Sequence, residues 1–229
     1  MMLSAVMEDY LKAIYVLHAE VDGNVKTSDI ATQLDVKPPT VTSMLKKLAE
    51  KNLVSHEPYQ GVELTPTGES VALEVIRHHR LLEAYLTEEL GYDWSEVHDE
   101  ADRLEHHVSE TFIDRLATRL DEPQVDPHGD PIPSADLDPV EDPSGTALIN
   151  FSVDETVIIQ RVRNQDPEIL QYLEAHGIKP GTRVTIKEVT PIGMISVQPH
   201  PCETAVSLPT SVARSIWAHQ INEVSTLVP

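Results

Sequence analysis

Residues 27–51 read TSDIATQLDVKPPTVTSMLKKLAEK, which places a proline pair between two short apolar patterns. Before the pair, apolar residues three or four positions apart predict a short helix whose N-cap is Thr27 or Ser28. Pro38 and Pro39 predict the start of a second helix, because proline is tolerated in the first turn, where its missing N–H has no partner. The apolar stripe of this second helix consists of Val41, Met44, Leu45 and Leu48.

The flanking sequence adds a helix before this pair and a hairpin after it. Residues 53–57 and 62–65 predict two strands around a turn at Tyr59, Gln60 and Gly61. Helix, short helix, turn, helix and hairpin make up the winged helix-turn-helix pattern, in which the second helix of the pair enters the DNA major groove. The first helix, within the first 20 residues, has an apolar stripe made of Val6, Tyr10, Ala13, Ile14 and Leu17.

The start of the second helix of the pair carries side chains suited to DNA. Hydroxyl groups can bond to bases or phosphates, a proline ring can press on a thymine methyl, and lysines can meet phosphates. The alternative is a three-helix bundle whose lysines are only solvated. The predicted DNA-contacting residues are Thr27, Ser28, Lys37, Pro38, Pro39, Thr40, Thr42, Ser43, Lys46 and Lys47, with Lys51 as a further phosphate contact.

The chain as a whole is strongly acidic. Its 229 residues hold 17 Lys and Arg against 38 Asp and Glu, a formal net charge of -21. Within residues 36–56, however, lysines outnumber a single carboxylate, Glu50. The excess of acid favours a surface adapted to a high-salt cytoplasm, where repulsion from DNA is screened. The alternative is an ordinary acidic protein that avoids nucleic acid and anionic membranes.

The composition excludes several classes of protein. A single cysteine, Cys202, excludes a disulfide framework and any zinc module built on several cysteines. The sequence has no run of 18 apolar residues, and its first ten residues lack the basic and apolar regions of a signal peptide. We therefore expect a cytoplasmic protein with no membrane partner.

The remainder of the chain divides into helices, a linker and strands. Thr65 and Pro66 predict the start of a helix that runs to about residue 90, with further helices at about 94–107 and through 108–120. Residues 121–145 hold six prolines and many aspartates without an apolar period, which predicts a linker. Strands predicted at 156–163, 183–189, 194–198 and 203–208, with a helix capped by Asp166 and ended by Gly177, fit a small barrel.

Histidines and carboxylates recur at helical spacing in the middle of the chain. Residues 98–106, HDEADRLEH, place two histidines and two carboxylates within about 100° of one helical face. Imidazole and carboxylate without thiolate suit Mn²⁺, Fe²⁺ or Zn²⁺. The alternatives are a solvated acidic face and a His–Glu pair that only supports its helix. The two candidate ligand sets are Asp9, Asp102, Glu105 and His106, and His79, Glu83 and His98.

Several stretches of the chain resemble the diphtheria toxin repressor family, whose members are iron- or manganese-dependent transcriptional repressors. Residues 146–229 resemble more loosely that family's SH3-like or FeoA-like third domain, including the run GIKPG at 177–181. The stretches that carry the main resemblance are RHHRLLE at 77–83, VHDEADRLEH at 97–106, EDYL at 8–11, VKPPTVT at 36–42, LTPTG at 64–68 and GDPIP at 129–133.

The resemblance implies an α+β multidomain fold and a metal switch. Residues 1–73 correspond to a winged helix-turn-helix domain, 74–140 to a helical metal-binding and dimerisation domain, and 146–229 to a small SH3-like β-barrel. The family implies a homodimer on palindromic operator DNA, with no organic cofactor, in which metal favours the DNA-competent arrangement. By this resemblance the first ligand set is a regulatory site and the second an ancillary site, two sites per subunit.

The chain departs from the family in ways that bear on the metal. The iron branch has methionine at the position of Asp9 and cysteine at that of Asp102, and oxygen at both places slightly favours Mn²⁺ over Fe²⁺. The manganese branch has a further glutamate where this chain has Lys12. The third domain of the iron branch donates a Glu and a Gln to the ancillary metal. The candidates for that role here are Gln165, Asp166 and Glu168.

These observations predict a metal-dependent repressor of metal-uptake genes rather than an enzyme. One alternative is a winged-helix regulator with an organic effector and a merely halophilic acidic face. A second alternative is a metallohydrolase that uses Asp102, Glu105 and His106 around an activated water, but no substrate pocket is apparent in the sequence, and the winged helix would have no role.

Overall fold

A computed structural model describes residues 3–19, 21, 23–57, 61–138 and 145–221, and the chain divides into two compact units. The first unit is drawn from residues 1–82, 102–119 and 132–142, and the second from 83–101, 120–131 and 143–229. Across the described residues, every helix is too short or too polar to span a lipid bilayer.

The first unit begins with the predicted helix-turn-helix and its wing. Buried side chains from three helices and two antiparallel strands form one apolar core, in which Leu11, Ile14, Val41 and Leu45 are fully buried. The first and third helices share this core, so the position of one constrains the other. The elements are α1 (Ala5–His18), α2 (Thr27–Gln33), α3 (Pro38–Glu50), β1 (Val54–Glu57) and β2 (Gly61–Leu64).

Prolines start α3 as predicted, whereas the predicted cap of α2 is wrong. Helix α2 begins at Thr27 itself, and its N-cap residue is Lys26, whose side chain makes no cap hydrogen bond. The Ser28 hydroxyl instead donates to the neighbouring carboxylate of Asp29 at 3.0 Å. The predicted wing turn at Tyr59 and Gln60 lies outside the described residues.

A long helix, α4 (Pro66–Leu90), begins where the sequence predicts it. The Thr65 hydroxyl accepts the Gly68 N–H at 3.1 Å and donates to the Asn52 carbonyl at 2.7 Å, so it caps α4 and ties it to the turn after α3. Gly68 lies directly against the Leu53 carbonyl, which leaves no room for a Cβ atom.

Two shorter helices follow, α5 (Val97–Leu104) and α6 (Glu110–Arg119). The helix predicted over 94–107 is shorter, because the Asp93 carbonyl accepts the N–H groups of Glu96 and Val97 and the helix begins only there. Residues 105–107 form a turn after it. On α6, the Phe112 side chain is 43% exposed.

The proline-rich segment predicted as a linker contains a folded turn. The Asp126 carboxylate accepts the N–H groups of His128 and Asp130 at 2.8 and 2.9 Å, and Val125 pairs with Pro131 in an antiparallel bridge. Because Asp126, His128 and Asp130 are buried, the linker prediction is wrong for this part. Polar hydrogen bonds hold the turn, so it leaves no apolar period in the sequence. Residues 139–144 lie outside the described part.

The C-terminal part of the second unit comprises β3 (Thr146–Ala147), β4 (Thr156–Val162), α7 (Pro167–Ala175), β5 (Arg183–Val189), β6 (Met194–Pro199), β7 (Val206–Pro209), α8 (Thr210–Arg214) and β8 (Ile216–Gln220), with a 3-10 turn at Leu148–Asn150. The strands form a six-stranded antiparallel sheet in the order β3-β8-β4-β5-β6-β7. Its core includes Val157, Ile159 and Ile186 from the strands and Leu170 from α7. The predicted cap of α7 is confirmed, since Asp166 accepts the N–H groups of residues 168 and 169.

Candidate functional site

Candidate metal ligands of the first unit meet between α1, α4 and the turn after α5. Asp9, Glu105 and His106 each place one ligand atom within 4.8 Å of the other two, and we call them the Asp9 group. His106 Nε2 lies 2.8 Å from Asp9 Oδ1 and 3.3 Å from Glu105 Oε1. The structure thus brings together three of the four residues of the predicted regulatory set around one point.

Carboxylates hold a proton on His106. The hydrogen bond to Asp9 raises the pKa of the imidazole, burial lowers it, and the hydrogen bond to Glu8 and the charge of Glu105 raise it further, to about 9. Glu8 Oε2 lies 2.7 Å from His106 Nδ1. At neutral pH this proton therefore balances the surrounding negative charge, and a divalent cation must displace it to bind the ring.

A second group of ligands shares Glu105 with the first. His79, Asp102 and Glu105 also lie within 4.8 Å of one another, and we call them the Asp102 group. The ammonium of Lys12 lies among them, with Nζ 3.0 Å from Asp102 Oδ1, 2.8 and 3.1 Å from the two Glu105 oxygens and 3.0 Å from His79 Nδ1. The sequence marks Lys12 only as a departure from the family and does not predict these contacts.

The charge of Lys12 is secured by its neighbours. Burial lowers the pKa of the ammonium, but the charges and hydrogen bonds of Glu105 and Asp102 outweigh burial, and the net shift of the pKa is upward. The Glu105 side chain is only 1% exposed. Lys12 is therefore a permanent cation beside a buried carboxylate.

The predicted ancillary ligands lie on α4 and α5. In the second unit, His98 Nδ1 is 3.0 Å from Glu83 Oε1, and the Glu83 side chain is 1% exposed. A buried carboxylate next to an imidazole supplies two of the ligands that a divalent metal site requires. The third predicted member, His79, precedes Glu83 by one turn of α4.

His128 is a further functional candidate, which the sequence reasoning missed. Its Nε2 lies 3.9 Å from Glu83 Oε1, its side chain is 1% exposed, and its ring stacks on Trp94 with the centroids 5.1 Å apart. The turn around Asp126 holds the backbone of His128 in place. The family resemblance of the adjacent GDPIP run at 129–133 could have indicated an ordered segment here, but residues 121–145 have no apolar period and were therefore predicted to be a linker.

The β-rich part of the second unit packs on this same turn. Arg161 pairs with Asp130, and the Val162 N–H donates to the His128 carbonyl at 2.9 Å. Asp166, one of the three residues predicted to complete the ancillary site, caps α7 instead. Gln165 and Glu168 are exposed, and their role as ligands stays a prediction.

The predicted DNA-reading surface lies at the start of α3. Its buried face, with Val41 and Leu45, belongs to the core, so the opposite face is presented outward. Thr27 and Thr42 are half-buried, and the Thr42 hydroxyl donates to the Pro38 carbonyl at 3.2 Å. The exposed predicted contacts are Ser28, Lys37, Pro38, Pro39, Thr40, Ser43, Lys46 and Lys47.

Three family models match consecutive parts of the chain. Residues 2–62 match the N-terminal DNA binding domain of iron dependent repressors, and residues 65–134 match their metal binding and dimerisation domain. Residues 146–219 match the FeoA domain. The order of the matches agrees with the order of the elements described above.

Relatives and solved structures extend the similarity over most of the chain. The diphtheria toxin repressor of Corynebacterium glutamicum is 36% identical, over 78% of this chain and 82% of that protein. The iron-dependent repressor IdeR of Mycobacterium tuberculosis is 30% identical, over 93% of this chain and 96% of that protein. The structure of a manganese-dependent transcriptional repressor in complex with manganese has a TM-score of 0.86 and 38% identity, covering 94% of this chain and 100% of that one. The structure of the manganese regulator SloR has a TM-score of 0.76 and 32% identity, covering 94% and 98%.

Proposed function

The chain belongs to the iron-dependent repressor family and is a metal-dependent transcriptional repressor, and we propose that it represses metal-uptake genes when its ligand groups hold Mn²⁺ or Fe²⁺. It acts as a homodimer on palindromic operator DNA in the cytoplasm. The proposed domains are residues 1–73, 74–140 and 146–229. We assign the ligand groups a regulatory role and no catalytic step.

The donor atoms fit a hard divalent cation. The regulatory ligands are carboxylate oxygens and imidazole nitrogens, and no sulfur is among them. Such a set suits Mn²⁺ better than softer competitors, so we favour Mn²⁺ slightly over Fe²⁺. The similarity to a manganese-bound repressor supports this choice. The proposed ligands are Asp9, Asp102, Glu105 and His106 in the regulatory site and His79, Glu83 and His98 in the ancillary site.

The packing of α1 links the ligands to the DNA-reading helix. Asp9 lies on α1 beside Tyr10 and Leu11, which are buried in the core shared with α3. When bound, the ion supplies a divalent charge that draws together Asp9 and the turn after α5. Any arrangement that fixes Asp9 therefore also constrains α3, and metal shifts the population toward the arrangement that fits the operator.

The contact of Asp9 on α1 with Glu105 and His106 after α5 carries this proposal, and DNA binding tests it. We would measure the affinity of the purified protein for its own upstream DNA in molar KCl, with Mn²⁺, anaerobic Fe²⁺ or Zn²⁺ against a chelator. We expect metal to tighten binding by roughly 5- to 150-fold, the usual range of allosteric coupling. Glu105→Gln should lose this response, whereas Asp114→Asn, an exposed carboxylate of α6, should keep it. Equal binding with and without metal in the wild type would point to the organic-effector alternative.

A further inference from the structure

We propose that Lys12 is a built-in cation that permanently fills the Asp102 group, so that the regulatory cluster takes one divalent ion, in the Asp9 group, and not a pair. This narrows the proposed regulatory ligand set to Asp9, Glu105 and His106, because Asp102 contacts the ammonium instead. The regulatory cluster here means Asp9, His79, Asp102, Glu105 and His106. This inference rests on the proposed function, because it assumes that the cluster binds the regulatory metal. It makes Lys12 a residue that sets the number of ions.

The position of the ammonium carries the inference. Lys12 Nζ lies 2.8–3.1 Å from two Glu105 oxygens, one Asp102 oxygen and one His79 nitrogen. These are the same three residues whose ligand atoms lie within 4.8 Å of one another. An ordinary surface ion pair joins one cation to one carboxylate, whereas this ammonium takes the place that a metal ion would have.

A divalent ion and the ammonium cannot share the Asp102 group. A bound Zn²⁺, for example, lies about 2.0–2.2 Å from its oxygen and nitrogen ligands, and Nζ already contacts the same ligand atoms. Two cations in such proximity repel each other, and screening by water is reduced on the side of Glu105, which is 1% exposed, although Asp102 is 47% exposed. The adjacent Leu11 is fully buried, so the backbone of α1 holds Lys12 close to the group.

Glu105 makes the two groups neighbours. It belongs to both the Asp9 group and the Asp102 group, with Oε1 3.3 Å from His106 Nε2 and Oε2 2.8 Å from Lys12 Nζ. Without a cation in the Asp102 group, the buried Glu105 carboxylate would face the like charge of the 47% exposed Asp102, with ligand atoms within 4.8 Å of each other, which is unfavourable. The ammonium neutralises them and leaves the Asp9 group to the regulatory metal.

The test counts ions in variants of Lys12. All proteins carry His98→Ala, which removes the ancillary site, and are compared at matched KCl concentration. Bound Mn²⁺ is measured by equilibrium dialysis with elemental analysis, and low-temperature electron paramagnetic resonance shows whether two ions are coupled. We expect about one uncoupled Mn²⁺ per subunit with Lys12, and about two coupled ions after Lys12→Glu, which replaces the cation by a ligand. Lys187→Glu, at an exposed lysine, is the matched control and should still bind about one.

A second measurement distinguishes a role of Lys12 as a cation in the place of a metal ion from a role in packing alone. Lys12→Met removes the charge and keeps the length of the side chain, so the metal-free protein should lose thermal stability, and excess Mn²⁺ should restore most of the loss.

Two coupled ions in the protein that retains Lys12 would overturn the inference, since the lysine would then be displaced. A single ion in Lys12→Glu would also overturn it. One ion without any effect on DNA binding would instead contradict the proposed function and leave the role of Lys12 intact.

Discussion

Two protein cations lie among the carboxylates of the regulatory cluster. Lys12 contacts the carboxylates of Glu105 and Asp102, and His106 contacts those of Asp9 and Glu8. Each cation thus separates carboxylates that would otherwise repel one another. The two differ in kind, because the lysine keeps its proton throughout the physiological range whereas the histidine gives up its proton when a metal binds.

The pKa of His106 predicts how the metal-free protein responds to pH. Since the pKa is raised to about 9 from an ordinary 6.5, the protonated ring stabilises the fold fully below about pH 6.5, and this contribution is lost as pH rises through about 9. We expect the melting temperature of the wild type to fall over this window by more than that of His106→Gln. Melting curves with chelator from pH 6 to 10 would check this, and parallel curves for the two proteins would contradict it.

The sequence pattern is sufficient to propose ligand residues, but it does not indicate which distant residues lie beside them. Helical spacing places His98, Asp102 and Glu105 on one face, and the structure brings Asp102 and Glu105 to one group. Lys12 and His128 could not be found in this way. Periodicity reports which residues share a face of one helix, and it carries no information on which distant segment will contact that face.

The turn at 126–130 is the element that the sequence pattern misjudges most, and it yields a prediction. Gly129 has φ +86°, and its backbone touches the Gln160 carbonyl so closely that a Cβ has no space. We expect Gly129→Ala to reduce the free energy of unfolding by about 2 kcal/mol or more, from backbone strain and overpacking together.

Gly181 provides the matched control for this substitution. It has φ +85°, but the place that a Cβ atom would take has nothing within 4 Å, so Gly181→Ala should cost only the backbone strain, about 1 kcal/mol. Urea unfolding curves of the two variants would measure the difference. Equal losses would contradict the prediction, because they would show that the backbone around Gly129 accommodates the added Cβ atom without a further penalty.

The cap of α4 was predictable because its chemistry is local. The Thr65 hydroxyl accepts the Gly68 N–H, three residues ahead. We expect Thr65→Ala to lower the free energy of unfolding by about 1 kcal/mol. Thr65→Ser, which retains the hydroxyl, should lose much less in the same urea experiment, and an equal loss in both would assign the effect to packing of the methyl group. The prediction for the N-cap of α2 was wrong because Thr27 is already the first helical residue and the Ser28 hydroxyl donates to Asp29.

The net charge of -21 belongs to the molecule as a whole and predicts its dependence on salt. Repulsion between carboxylates is screened over about 10 Å at 0.1 M salt and about 3 Å at 1 M. We expect the melting temperature to rise markedly between 0.1 and 2 M KCl. A flat profile would contradict adaptation to high salt and favour the ordinary acidic protein.

Lysine and glutamate are neighbours in the genetic code, since AAA and AAG become GAA and GAG by one base change. The ammonium that Lys12 places against Glu105 and Asp102 is therefore one point mutation away from a carboxylate in the same position. A regulator that responds to one ion and a regulator that responds to two differ in how steeply they follow metal concentration. Selection can therefore change how steeply repression depends on metal concentration through a single base substitution, with the rest of the fold unchanged.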